Sequence, residues 1–129
     1  MGKFADHIKK YEDFAAVGGA SADQIKAAEE ELGLIFSKEY KEFLKEHGAA
    51  CANGHEFLGI CESKRLNIVE GTLKAKKKND NVPDDMYLIE DVGIDKILTW
   101  QNADGKLFQT VGKGEPELLK MNLTEYVEG

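Results

Sequence analysis

Disulfide-capable cysteine, proline, basic charge and long apolar runs are all scarce in this chain. Cys51 and Cys61 are its two cysteines, too few for the disulfide framework of a small secreted domain. Two prolines and no low-complexity tract argue against a disordered chain. No apolar run approaches the roughly 20 residues needed to span a bilayer. The opening residues Met-Gly-Lys-Phe-Ala-Asp-His lack the basic head and apolar run of an export signal, so a cytoplasmic location with reduced thiols and no membrane contact is expected. Basic residues are outnumbered 17 to 24, for a net charge of −7. Nucleic-acid binders are usually basic, because neutralising phosphate supplies most of their affinity. The balance therefore argues against direct nucleic-acid binding and fits a basic protein partner, or charge kept for solubility. There is no P-loop, dinucleotide fingerprint, nucleophile elbow or HExxH, and no catalytic residue, cofactor or metal is expected.

What is present is helix-capping grammar. Residues 3 to 17 place Phe4, Ile8, Tyr11 and Ala15 on one apolar stripe, predicting a helix that Gly18-Gly19 ends. In "SADQIKAAEEELG", Ser21 and Gln24 have capping-box spacing, Ile25, Ala28 and Leu32 form an inner face, and Gly33 stands where a helix ends. "SKEYKEFLKEHG" repeats the pattern, with Ser37 as cap, Tyr40, Phe43, Leu44 and His47 as buried stripe and Gly48 as terminator. "EFLGI" reads as a strand in which Gly59 allows a bulge or a close backbone approach. Asn67 caps a helix to about Lys77 with Ile68 and Leu73 inward, and its C-terminal lysines read as a solvated helix end. "MYLIE" is apolar on both faces, which suggests a central strand. "KILTWQ-NADG-KLFQTV" predicts a hairpin with Gly105 in a left-handed position. "NLTEYVEG" is a last helix, boxed by Asn122 and Glu125. The expected fold is α+β: one domain over residues 1–129, with a largely antiparallel central sheet flanked by helices that pack on one side of it.

His47, Cys51, His55 and Cys61 fall within a short stretch. Four such side chains could hold zinc, but H-x3-C-x3-H-x5-C is not the spacing of a zinc finger. His47 has a structural role on its helix stripe, and Cys61 shares a strand face with Phe57 and Gly59. A Cys51–His55 nucleophile pair lacks any flanking signature. The four read as neighbours by accident, two with packing roles and two in an alanine-rich loop.

"ASADQIKAAEEELGLIFSKEYKEFLKEHG" resembles the opening motif of the SUKH superfamily, the Smi–Knr-like proteins, at Glu29, Leu32, Gly33, Tyr40, Phe43, Leu44 and Gly48. Phe57-Leu58-Gly59 is similar to the family's next strand, "YLIEDVGIDKILTW" to its strand–turn–strand, and "LTEYVEG" to its closing helix. The likeness covers roughly residues 20 to 129. Ser37 stands where many members have proline, and serine caps as well. The resemblance implies binding and no enzymatic activity. Bacterial members act as cytoplasmic immunity proteins that neutralise a toxin domain, often a nuclease, by direct contact. The alternative it leaves open is a regulatory or scaffold module without a toxin partner.

The acidic tract of residues 80–95 is where such a partner is expected. It holds Asp84, Asp85, Glu90, Asp91 and Asp95 and no lysine or arginine. Carboxylates facing a toxin's phosphate-binding cleft would raise the association rate. Trp100 could anchor the contact, although its spacing fits a core residue of the hairpin better. The bland alternative for the tract is a solvated loop and strand edge.

Overall fold

Short polar caps set where the helices start. The computed structural model describes residues 3–129; Met1 and Gly2, part of the stretch read for an export signal, lie outside the described residues. Ser21 Oγ accepts from the Gln24 amide and the Gln24 side chain accepts from Ser21, starting α2 (Ala22–Leu32), which Gly33 closes in the left-handed region at φ 67°. Ser37 caps α3 (Lys38–His47), and Tyr40, Phe43, Leu44 and His47 are all buried. Asn67 caps α4 (Ile68–Lys78), and Asn122 with Glu125 boxes the start of α5 (Leu123–Glu128). Leu73 points outward rather than inward; Thr72 and Ala75 take the inner face of α4.

The first helix is shorter than its stripe. It runs as α1 (Lys3–His7), tightens into a 3-10 turn at Ile8–Lys10, and ends. Phe4 and Ile8 are buried, but Ala15–Ala16 form the strand β1 and are exposed. β1 pairs with β2 (Ala50–Ala52), which pairs with β3 (His55–Phe57) across the tight Asn53-Gly54 turn. Both turn residues have positive φ, 52° and 79°, as a type I′ hairpin requires. The stretch expected to be a loop is therefore a hairpin. Both Asp13 carboxylate oxygens accept amide hydrogens of that turn, from Asn53 at 2.6 Å and Gly54 at 2.8 Å. These two bonds, Gly54's first, hold the Asp13 carboxyl below the usual carboxylate range.

The second sheet is β4 (Tyr87–Asp91), β5 (Ile97–Gln101), β6 (Leu107–Val111) and β7 (Glu117–Leu119), antiparallel throughout and in that order. The α+β class holds, with the antiparallel strands divided into two sheets. By pairing, β4 is an edge and not a centre. It is nonetheless buried, because its outer edge meets the exit of β3: the Leu58 amide donates to the Ile89 carbonyl at 2.8 Å. Helices lie on both faces of this sheet rather than one. Gly71 of α4 leaves room for Leu58 and Leu88, while Ser37 at the head of α3 donates to Gln101 and Tyr126 of α5 bonds Thr99 on the opposite face. One apolar cluster joins the layers, including the edge-on pair Phe4–Phe57 at 5.2 Å.

Three backbone segments cross at glycines. Gly59 lies against Gly48, where an added Cβ would sit 1.6 Å from the Gly48 carbonyl oxygen. A Cβ on Gly19 would sit 2.0 Å from the Lys45 carbonyl oxygen. The segments exchange hydrogen bonds: Val17 to Ala49, Gly18 to His47 and Ile60 to Gly48, each near 3.0 Å. Gly18-Gly19, read from sequence as a helix terminator, is instead part of this contact.

Candidate functional site

The acidic tract does not form one patch. Asp84 and Asp85 are exposed in the loop before β4. Asp91 and Asp95 are exposed at and beyond its far end. A five-residue strand lies between them, about 17 Å at ~3.3 Å per residue. At the first end, Lys76 folds back and donates to the Asp84 carbonyl at 2.9 Å. Burial lowers the pKa of its ammonium, against the pull of Asp84 and Asp85.

Glu90 and Trp100 leave the candidate surface, because both are buried. The physical reason for Glu90 is a bulge. Leu88 pairs with Trp100 but Glu90 pairs with Thr99, so the extra residue turns Glu90 onto the face of Thr99, under α5, instead of the face its spacing from Leu88 predicts. There its carboxylate accepts from His55 Nδ1 at 2.9 Å, from the Glu56 amide at 2.8 Å and from the Tyr126 hydroxyl. Thr99 bonds Tyr126 at 2.8 Å, and Gln109 donates to Thr99 at 3.1 Å. Burial, then the Glu90 charge, pushes the Tyr126 phenol well above its ordinary value. These hydrogen bonds join β3, β4, β5, β6 and α5. Trp100 is enclosed in the sheet and donates through Nε1 to Thr110 at 3.0 Å, the fate its hairpin spacing favoured.

The histidines and cysteines are also dispersed. His47 Nε2 lies 2.8 Å from the Ala5 carbonyl and its ring meets Phe14 and Phe43 edge-on. His55, expected in a variable loop, is a strand residue bonded to Glu90. Cys51 Sγ donates to the Asp13 carbonyl and Cys61 Sγ to the Ser63 carbonyl. Burial pushes the Cys61 thiol up, the opposite of nucleophile activation. Among the described residues no three His, Cys, Asp or Glu side chains are placed to hold one metal ion.

Two open depressions mark the surface, one beside Lys26, Glu30 and Ile35, the other beside Tyr11, Asp13 and Gly54. What sequence reading missed is apolar. Val92 and Ile94 in the β4–β5 turn and Val111 at the end of β6 are exposed. The one local signal was an aliphatic pair flanking Gly93 where a turn favours small polar residues.

Among the described residues no helix is long and apolar enough to cross a membrane. The family model SUKH_6, described as SMI1-KNR4 cell-wall, matches residues 22–127, the span from the first residue of α2 into α5. No curated protein matches the chain. The helix pair α2–α3, the four-stranded sheet and all but the last residue of α5 fall within the matched span, and the chain belongs to the SUKH_6 family of SMI1-KNR4 proteins.

Proposed function

We propose that this chain is a non-enzymatic binding protein, an immunity protein that neutralises a cognate toxin domain in the cytoplasm by direct stoichiometric contact. The observation that carries the reading is the family match across residues 22–127. The exposed carboxylates Asp84, Asp85, Asp91 and Asp95 support it, together with the net charge of −7. A nuclease toxin must present positive charge to phosphate, and carboxylates offered to that charge steer encounter. The toxin's active cleft or an adjacent surface is then covered, and this chain does no chemistry. The partner is a basic protein, with no role for a membrane or for direct nucleic-acid contact.

The test is co-expression of the chain with the toxin domain encoded beside its gene. Growth rescue and a stoichiometric complex on gel filtration are expected. Absence of a toxin-like neighbour, or a neighbour whose toxicity is unchanged, would overturn the reading. The words "cell-wall" in the family description favour one second reading, a regulatory module acting on a protein partner without a toxin.

A further inference from the structure

The geometry points to the β4–β5 turn and the adjoining end of β6 as a docking tip for a net-positive protein bearing an apolar recess. This deepens the binding reading above and rests on it. Ile94 is 62 % exposed, Val111 59 % and Val92 36 %. Backbone bonds hold the three at one end of the sheet: Val92 N–H donates to the Ile97 carbonyl, Ile97 N–H to the Ile94 carbonyl, and Gly112 N–H to the Lys96 carbonyl, while Ile97 pairs directly with Val111. The backbone gives no reason for the aliphatics. Gly93, Asp95 and Lys96 carry the positive φ values of this turn, whereas Val92 and Ile94 are β-branched residues left in water. Such surface is costly in a monomer and is recovered when a partner covers it.

The rim selects the sign of that partner. Asp91 and Asp95 flank Ile94 in the turn. Asp80 comes to the same end, because Asn79 donates to the Gly112 and Gly114 carbonyls and Asn81 to the Lys113 carbonyl. Glu115 follows on the same loop, and all four carboxylates are exposed. The exposed cations beside them are Lys96, Lys113 and Lys78, which adjoins Asn79, so the four carboxylates outnumber them by one. An apolar centre within a charged rim is the ordinary anatomy of a specific interface.

The test places a photo-crosslinking p-benzoylphenylalanine at Ile94, with the exposed Ile35 and Leu73 as reference positions, in the full chain and in the cells that produce it. It is repeated with Asp91→Asn and Asp95→Asn together. Asparagine keeps the acceptor that Asp91 Oδ1 offers to the Gly93 amide and tolerates the left-handed conformation of Asp95, so the turn is retained and two charges are lost. Thermal unfolding unchanged from wild type verifies this. The expected result is a discrete adduct from Ile94 with a protein of net positive charge, formed in severalfold lower yield in the asparagine variant. Adducts from Ile35 or Leu73 with none from Ile94 overturn the tip and leave the binding reading standing. No adduct from any position overturns both. An Ile94 adduct with a neutral or acidic protein, or one indifferent to the two aspartates, overturns the stated partner.

Discussion

Glu90 shows how much one carboxylate can hold in place. Its two oxygens take three donors, two from β3 and one from α5. Glu90→Ala removes the acceptor from all of them in a buried setting, where breaking a charged hydrogen-bonded group costs about 3–5 kcal/mol; urea unfolding should show a loss of that order. Tyr126→Phe should cost less, about 1–3 kcal/mol, since one buried hydroxyl is removed and Glu90 keeps its other partners. The same variant has a pH signature. Burial, then Glu90, raises the Tyr126 phenol, so the folded state keeps the proton that the unfolded chain releases near pH 10. This stability is fully present below about pH 10 and falls above it by roughly 1.4 kcal/mol per pH unit for each such tyrosine. Tyr40 and Tyr87 are raised in the same direction by burial. The alkaline limb of a stability–pH curve should therefore be less steep in Tyr126→Phe, by one proton's worth. An unchanged limb would mean that the phenol ionises in the fold as it does in the open chain.

At the scale of elements, a cap's value depends on what else the cap touches. Ser21 is exposed and bonds within its own capping box. Ser37 is buried; it caps Tyr40, its hydroxyl donates to Gln101 at 3.0 Å, and its amide donates to Tyr87 Oη at 2.8 Å. Ser21→Ala should cost about 1 kcal/mol. Ser37→Ala should cost more, about 2 kcal/mol or above, because Gln101 loses a buried donor as well; paired thermal melts would read the difference. Caps were also what sequence made legible. Ser21, Ser37, Asn67 and Asn122 act through residues two or three positions on, so their signal is local. The hairpin around Gly105 was legible for the same reason. β1, β2 and β7 were not, because two or three residues such as Ala15–Ala16 or Ala50–Ala52 are too short to display alternation. For the candidate site, the exposed aspartates could be named from sequence. Glu90 could not be assigned to the interior, since a bulge one residue earlier reverses its face. Ile94 drew no notice because exposure of an aliphatic residue is decided by what fails to pack on it.

The whole molecule carries −7 on a small surface, and association with a basic partner should respond to ionic strength as a steered encounter does. Raising salt from about 0.01 M to about 0.15 M shortens the screening length from roughly 30 Å to roughly 8 Å. The association rate should fall about tenfold or more, with the dissociation rate little changed; stopped-flow mixing at several salt concentrations would check it. The glycine crossing of Gly19, Gly48 and Gly59 matters on another axis, the lifetime of the native state. It closes only when the segment after β1, the end of α3 and the exit of β3 have all arrived, and the expectation is that a three-segment contact of this kind forms on the late side of the folding barrier. Gly59→Ala drives a methyl into the Gly48 carbonyl and should raise the unfolding rate by a factor on the order of 100 while folding proceeds near the wild-type rate, a φ-value near zero. Equal slowing of folding would place the crossing in the nucleus instead. A late-closing crossing governs how long the protein persists once formed, and under the binding role proposed above that persistence counts for more than speed of folding.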